Sequence, residues 1–281
     1  MLNLLRIWSL LAATGLCACG TMVGKSSQSS TSASPVIDRI TKAGEITIGT
    51  SANQPPLIAR DKNGELIGLE ADLARLIALS MGVKEKMVAM PFSRLLPALH
   101  AGEIDIIISG VTMTPERNMK VAFIGPYFVS GTSMLTREVL VDKMSDSSKI
   151  NDPTTRLAAL RGSTSERIVK DLIPRASLEA IDDYDDAVPR VISGELDALI
   201  ADHLFCIVAA LKHRDDGLTT LVRPLTFEPM GIALPANDPL LINWMQNFFM
   251  TLDGTGVLAE ITTRWLDDPA WLEDLGEQSP P

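Results

Sequence analysis

The chain of 281 residues has little of several things, and each shortage narrows what it can be. Histidine occurs three times, at His100, His203 and His213. These show no metal spacing with one another or with Cys206, so no structural zinc, no catalytic triad and no cofactor is expected. Basic runs are missing: no stretch of Lys or Arg is long enough to track a phosphate backbone. The formal net charge of −10 argues the same way, against nucleic acid and for a small-molecule partner. Cysteine is scarce too, at three residues. Two of them, Cys17 and Cys19, crowd into LCAC at residues 16–19. The third, Cys206, sits in the apolar run HLFCIVAAL, where a core thiol is expected rather than a nucleophile.

What is present begins with a targeting segment. Arg6 supplies a thin positive region, and IWSLLAATGL is apolar but too short to span a bilayer comfortably. LCAC then resembles a bacterial lipobox, with Cys19 as the residue that would receive lipid; bulky Leu16 makes Cys17 a poorer fit. Residues 1–18 are therefore expected to be a lipoprotein signal peptide. Residues 19–38, including GTMVGKSSQSSTSASP, are expected to be a lipidated cysteine and flexible tether. Processing at that point would leave Cys206 without a disulfide partner, and the membrane would be touched through the anchor alone.

The whole chain is 46% hydrophobic, and its length suits about two domains. From Glu45 onward apolar strand runs alternate with helical periodicity, the pattern of an α/β protein. EITIGT (45–50) predicts a strand, KNGELIG (62–68) a turn, and LEADLARLIALSMG (69–82) an amphipathic helix closed by Gly82. A short strand near Lys86–Ala89 and a helix from Ser93 to His100 follow. The continuous run IDIIIS, 104–109, predicts a central parallel strand covered on both faces.

A repeat organises these elements. SRLLPALHAGEIDIIISG (93–110) returns as DDAVPRVISGELDALIAD (185–202) at a constant offset, pairing Ser93 with Asp185, Pro97 with Pro189, Gly102 with Gly194 and Asp105 with Asp197. Each copy predicts a capped helix, a closing glycine and a buried strand. The period is too long for a solenoid and predicts two similar lobes. Ligands gather beyond the carboxyl ends of strands in open α/β sheets, which places Ser109 and Gly110 at one such end and Ala201 and Asp202 at the other.

One local rule is broken. In SGVTMTPERNMKVAF, Thr114 predicts an N-cap and Pro115 a first helical residue, yet Arg117 stands in the first turn, where the amide groups repel a cation.

At this point the sequence resembles the bacterial extracellular solute-binding proteins of family 3, the periplasmic receptors for polar amino acids that serve ABC importers. The resemblance runs from about Gly44 to Asp267. It is carried by IGTSANQPP with DKNGELIGLEADLA, LLPALHAGEIDIIISGVTMTPER, GPYFVSG, RGSTSE, GELDALIAD and TLDGTGVLAEITTRW. It implies a two-lobed periplasmic binding protein of type II, with two crossover strands and a ligand cleft between the lobes. Crossovers are expected near Tyr127–Thr132 and Pro224–Ile232. Lobe 1 is then expected over 39–129 and 229–270, lobe 2 over 130–228, and a C-terminal tail over 271–281.

The resemblance also implies roles. Arg117 would hold a ligand's α-carboxylate through its guanidinium fork. Thr112 from lobe 1 and Thr164 from lobe 2 would add donors, and Asp202, with acceptors around Ser109 and Gly110, would take the α-ammonium. This chain departs from the family where Ser51 replaces an acid and Gln54 an aromatic residue; Phe92 keeps the other aromatic position, and Arg161 occupies a place that can reach ligand side chains. Ser51, Gln54 and Arg161 together imply a neutral polar or acidic ligand side chain, with arginine and lysine at least tenfold weaker. The expected function is capture of an amino acid or related polar solute by a monomeric, extracytoplasmic lipoprotein that is no enzyme and serves importer membrane subunits. The alternatives are a ligand-sensing receptor subunit for a membrane partner and a cyclohexadienyl dehydratase-like enzyme, for which Glu70 and Glu166 are the conceivable general acids.

Overall fold

The computed structural model describes residues 34–275. The lipobox with Cys19, the first part of the expected tether and the last six residues lie outside the described residues. Within them, no helix is long and apolar enough to cross a membrane.

In chain order the strands are β1 (Glu45–Thr50), β2 (Ala59–Arg60), β3 (Leu66–Ile67), β4 (Lys84–Ala89), β5 (Ile106–Ile107), β6 (Val121–Ser130), β7 (Thr132–Arg137), β8 (Arg156–Leu160), β9 (Ser177–Ile181), β10 (Ala198–Asp202), β11 (Leu218–Thr220) and β12 (Glu228–Pro235). They make two five-stranded sheets, ordered β4-β1-β5-β12-β6 and β11-β7-β10-β8-β9, and β2 with β3 forms a small ribbon. Each large sheet has the same plan. Three strands run parallel in chain order second, first, third, and two more follow, each antiparallel to the strand before it. Parallel strands need helical crossovers, which cover both faces and define two α/β lobes.

The chain passes between lobes twice. β6 belongs to the first sheet and β7 to the second, joined through Gly131; β11 leads back to β12 through residues 221–227. The first crossing, at Gly131, lies within 127–132, whereas the second, 221–227, begins three residues before the expected Pro224. They run close together: Leu225 N–H donates to Thr132 O at 2.7 Å, and a Cβ on Gly131 would lie 2.1 Å from Thr226 O. Only glycine fits there.

The repeat is real in three dimensions. Helix Phe92–Ala101 ends at Gly102 (φ 71°) and leads to β5, and helix Tyr184–Ser193 ends at Gly194 (φ 80°) and leads to β10. Both helices start one residue earlier than expected, so Ser93 and Asp185 lie in the first turn and are not caps. Asp183 is the side-chain cap of the second, accepting from Asp185 N–H at 3.0 Å, whereas Pro91 precedes the first and offers no side-chain cap.

Asp105 and Asp197 repeat one task. Asp105 accepts from Thr47 N–H at 2.8 Å and from the Arg39 guanidinium, and Asp197 accepts from Arg156 N–H at 2.9 Å and Arg156 Nη2 at 2.8 Å. Each thereby ties the foot of one strand to the neighbouring strand.

Three expectations change. The run 104–109 contributes a ladder only at Ile106–Ile107, and its neighbours are β1, parallel, and β12, antiparallel. Beyond Ile108 the backbone turns away through Gly110 at φ 57°. The second change is at the expected tether, where residues 34–38 are structured. Ser34 caps helix Pro35–Ala43, Val36 and Ile40 are buried, and Ser34 Oγ donates to Asp238 Oδ2 at 2.8 Å. Third, the expected tail begins inside the 3₁₀ helix Pro269–Asp274, whose Trp271 ring lies 6.2 Å from that of Trp265.

The cores follow from this layering. In lobe 1, Ile48, Ile106, Ile232 and Leu234 pack under Leu73 and Ile77 of helix Leu69–Met81 and Met245 of helix Pro239–Gly254. A second apolar cluster runs from Phe92 and Leu95 in lobe 1 to Leu160, Tyr184 and Leu199 in lobe 2, so the lobes touch. Cys206 is buried there.

Candidate functional site

Where the lobes meet, a cavity of about 20 Å³ is lined by Gln54, Phe92, Gly110, Thr112, Arg117 and Met230 on one side and by Leu160, Ser163, Thr164, Ser165, Tyr184 and Asp202 on the other, with Glu228 at the crossover. That volume is the room of about one water. An outer groove of about 400 Å³ adjoins it and shares Arg117, Ser163 and Thr164.

Arg117 is placed by its turn. Thr114 Oγ1 accepts from Arg117 N–H at 3.2 Å, as the N-cap reading expected. The helix is only Pro115–Asn118, however, too short to build an appreciable dipole, so the conflict expected for Arg117 largely vanishes. Its guanidinium spans the lobes: Nη1 donates to Thr112 O at 2.9 Å and Nη2 to Gly162 O at 3.0 Å. The ring of Phe92 lies 5.7 Å below it. Burial lowers the Arg117 pKa, and the nearby charge of Glu228 opposes that shift.

Asp202 ends β10 and opens helix His203–Lys212. Its Oδ1 accepts from Leu204 N–H at 2.9 Å, while Oδ2 is buried without a hydrogen-bond partner. Burial pushes this carboxyl up to about 6, with the charge of Glu228 adding to the rise and the Ser130 hydroxyl and backbone amides opposing it.

Glu228, which sequence reasoning passed over, is 7% exposed and gathers four hydroxyls. Thr112 and Thr164 donate to Oε2 at 2.9 and 2.7 Å, and Thr132 and Thr226 donate to Oε1 at 2.7 and 3.0 Å. It thereby links lobe 1, lobe 2 and the second crossover. Tyr184 was also missed, although extending the repeat one residue upstream pairs it with Phe92. Its ring stacks on Phe205 with centroids 4.2 Å apart.

The remaining candidates divide. Gly110 lines the cavity; a Cβ there would come within 2.5 Å of Gln54 Oε1, which is itself buried without a hydrogen-bond partner. Gly110 N–H donates backward to Glu70 Oε1 at 2.6 Å and to the Tyr127 hydroxyl at 3.1 Å. Ser51 and Ser109 stand behind the wall and bond to each other, Ser109 Oγ donating to Ser51 Oγ at 3.0 Å. Arg161 lies outside the cavity, half-exposed, with Nε on Asp182 Oδ1 at 2.8 Å and Nη2 on Ala180 O at 2.6 Å. Of Ser51, Gln54 and Arg161, the three expected to form the side-chain pocket, Gln54 lines the cavity and the other two do not. For Thr164, the cap of its helix is Ser163, which accepts from Glu166 N–H at 3.1 Å and frees Thr164 for Glu228.

Neither conceivable general acid lines the cavity. Glu70 is behind Gly110, its carboxyl raised to about 7 by burial, and Glu166 borders the outer groove bonded to Gly162 N–H and Lys170. Among the described residues no cluster of His, Cys, Asp and Glu is placed to hold a metal ion.

Two lobes with this topology, closed on a polar cavity at the carboxyl ends of their strands, have known counterparts. The pattern of the bacterial extracellular solute-binding proteins, family 3, matches residues 46–268. The chain belongs to this family. It is 28% identical over 275 residues to the ABC transporter glutamine-binding protein GlnH of Bacillus subtilis, covering 95% of this chain and 97% of that one. Among solved structures it is similar to an ABC transporter binding component from Wolinella succinogenes complexed with lysine, at 35% identity and a TM-score of 0.76, covering 82% of this chain and 99% of that one. It is also similar to an ancestral amino-acid-binding protein described as a precursor of cyclohexadienyl dehydratase, at 32% identity and a TM-score of 0.74, covering 82% and 98%. Relatives in this solute-binding family thus include amino-acid-binding proteins of ABC transporters.

Proposed function

We propose that this solute-binding protein captures an amino acid in the interlobe cavity and delivers it to an ABC importer. Arg117 takes the ligand's α-carboxylate and Asp202 its α-ammonium; Thr112, Thr164, Gln54 and Phe92 complete the wall, and Gly110 lets the backbone approach. The observation that carries the reading is the placement of opposite charges on the two lobes against one cavity, Arg117 from lobe 1 and the unpartnered Asp202 Oδ2 from lobe 2. A zwitterion satisfies both only when the lobes are closed, so ligand binding favours closure. Opening turns on the two crossovers, with 130–228 moving against the rest. The lipobox motif supports an extracytoplasmic protein tethered through Cys19. The dehydratase alternative is disfavoured because Glu70 and Glu166 stand away from the cavity.

Calorimetry against the common amino acids tests this. Arg117→Ala and Asp202→Asn, the latter chosen because asparagine still caps a helix, are each expected to weaken the best ligand about 100-fold, roughly 3 kcal/mol, because each leaves a desolvated ligand charge unpaired. Melting temperatures should stay near the wild-type value. Failure of every amino acid to bind the wild-type protein would overturn the reading.

A further inference from the structure

The cavity carries more negative charge than a neutral amino acid can balance. Among the described residues lining it, Arg117 is the one cation, whereas Asp202 and Glu228 are both acids. A zwitterionic ligand pairs its carboxylate with Arg117 and its ammonium with Asp202, and the charge of Glu228 is left over. Hydroxyl bonds stabilise that charge locally, but a desolvated site with an unbalanced charge still favours a ligand that brings the opposite one. The Asp202 carboxyl is raised chiefly by burial, and the charge of Glu228 adds to that rise.

Hydrogen-bond polarity points the same way. A hydroxyl has one hydrogen, and Thr112 and Thr164 both commit theirs to Glu228 Oε2. Towards the cavity those two oxygens can then only accept. Gln54 Oε1 and Asp202 Oδ2, both buried and without partners, are acceptors as well. The hydroxyls of Thr112 and Thr164 are therefore closed as donors towards a carboxylate while Glu228 holds them, which leaves that role to backbone N–H groups and Arg117. The wall asks for N–H groups.

We infer that the ligand is an amino acid with a second positive charge, an ammonium or guanidinium on its side chain, and that Glu228 is the positioning residue that sets this preference through its charge and its hold on Thr112 and Thr164. This rests on the amino-acid reading above and reverses the ligand class expected from Ser51, Gln54 and Arg161. The acid absent at Ser51 is supplied instead from the second crossover. With the lobes closed the cavity is small, so the ligand enters an opened cleft, and the bonds that tie Glu228 to Thr112 and Thr164 across the lobes are complete once the cleft closes.

The test titrates wild type, Glu228→Gln and Glu228→Asp with lysine, arginine, glutamine and glutamate at neutral pH and moderate salt. Wild type is expected to bind lysine or arginine at least tenfold more tightly than glutamine, with glutamate weakest. Glu228→Gln keeps the shape but removes the charge, and should shrink the ratio of basic ligand to glutamine at least tenfold; Glu228→Asp should retain most of it. A wild-type protein that prefers glutamine or glutamate overturns the inference and leaves the amino-acid reading standing, as does an unchanged ratio in Glu228→Gln. Binding of none of the four overturns the inference, and failure of the full amino-acid panel as well overturns the reading on which it rests. The wild-type ratio needs no variant to fold.

Discussion

The two lobes are alike at the feet of their sheets and unlike at the ends that face each other. At the feet, Asp105 and Asp197 stand one repeat apart, and each bonds a neighbouring strand's amide and an arginine. At the facing ends the same offset pairs Phe92 with Tyr184 and Gly110 with Asp202, and all four line the cavity. The aromatic pair is a conservative change; the other is not. Lobe 2 presents a carboxylate, and lobe 1 presents a glycine whose amide is held from behind by Glu70. Shared residues build the fold, and divergent ones make the cleft polar in one direction.

The feet give the largest expected effect. Asp105→Ala and Asp197→Ala each strand a backbone N–H and release an arginine, and each is expected to cost about 2–3 kcal/mol of stability, near the upper range for unpaired buried groups. Urea unfolding of the two variants would break the comparison if one matched wild type while the other collapsed. Ligand preference should not change in either.

Behind the divergent pair, Glu70 sharpens the comparison. Its carboxyl is fully buried, bonded by Gly110 N–H and the Tyr127 hydroxyl at 2.6 Å each, and raised to about 7 chiefly by desolvation, which those two bonds oppose. A carboxyl raised above its unfolded value favours the fold in its neutral form. That contribution is complete below the unfolded pKa of 4.5 and is lost as pH rises through about 7. Glutamine mimics the neutral acid. Glu70→Gln is therefore expected to melt close to wild type near pH 4.5 and to exceed it at pH 8, by on the order of 2 kcal/mol. A constant difference across that window would remove desolvation as the cause.

Much of this was legible in the sequence because it is local or periodic. The helix Leu69–Met81, its Gly82 stop, the Thr114 cap and the echo of Gly102 in Gly194 all follow from neighbours within a few positions. Arg117, Thr112, Thr164 and Asp202 were reached through resemblance, and they line one cavity. Glu228 escaped because a single acid in a crossover has no pattern; its meaning comes from hydroxyls at 112, 132, 164 and 226 that only the fold assembles. Glu70 was named as a conceivable general acid, but its hold on Gly110 was not legible, since 40 residues separate it from the amide it bonds. The outward course of Arg161 was not legible, because sequence position says which strand end a residue occupies, not whether Asp182 draws its side chain outward.

The smallest effects lie in the ties between the lobes, where burial separates an inner from an outer contact. Asn53 Nδ2 in lobe 1 donates to Asp183 Oδ1 in lobe 2 at 2.9 Å, and both residues are buried. Glu116 in lobe 1 pairs with Arg167 in lobe 2 at the outer groove, where both side chains are more than half exposed. Either contact exists only in the closed form, so removing it shifts the opening equilibrium and weakens apparent affinity by the same factor. The buried bond is worth about 1 kcal/mol, so Asn53→Ala is expected to raise Kd roughly fivefold. The exposed pair is worth about 0.5 kcal/mol and is screened by salt, so Glu116→Ala should raise Kd by roughly twofold at low ionic strength and hardly at all at 0.5 M salt. Titrations of both variants at two salt concentrations check the ordering. A Glu116→Ala effect that equals the Asn53→Ala effect and persists in salt would mean that closure is governed at the rim and not beside the ligand.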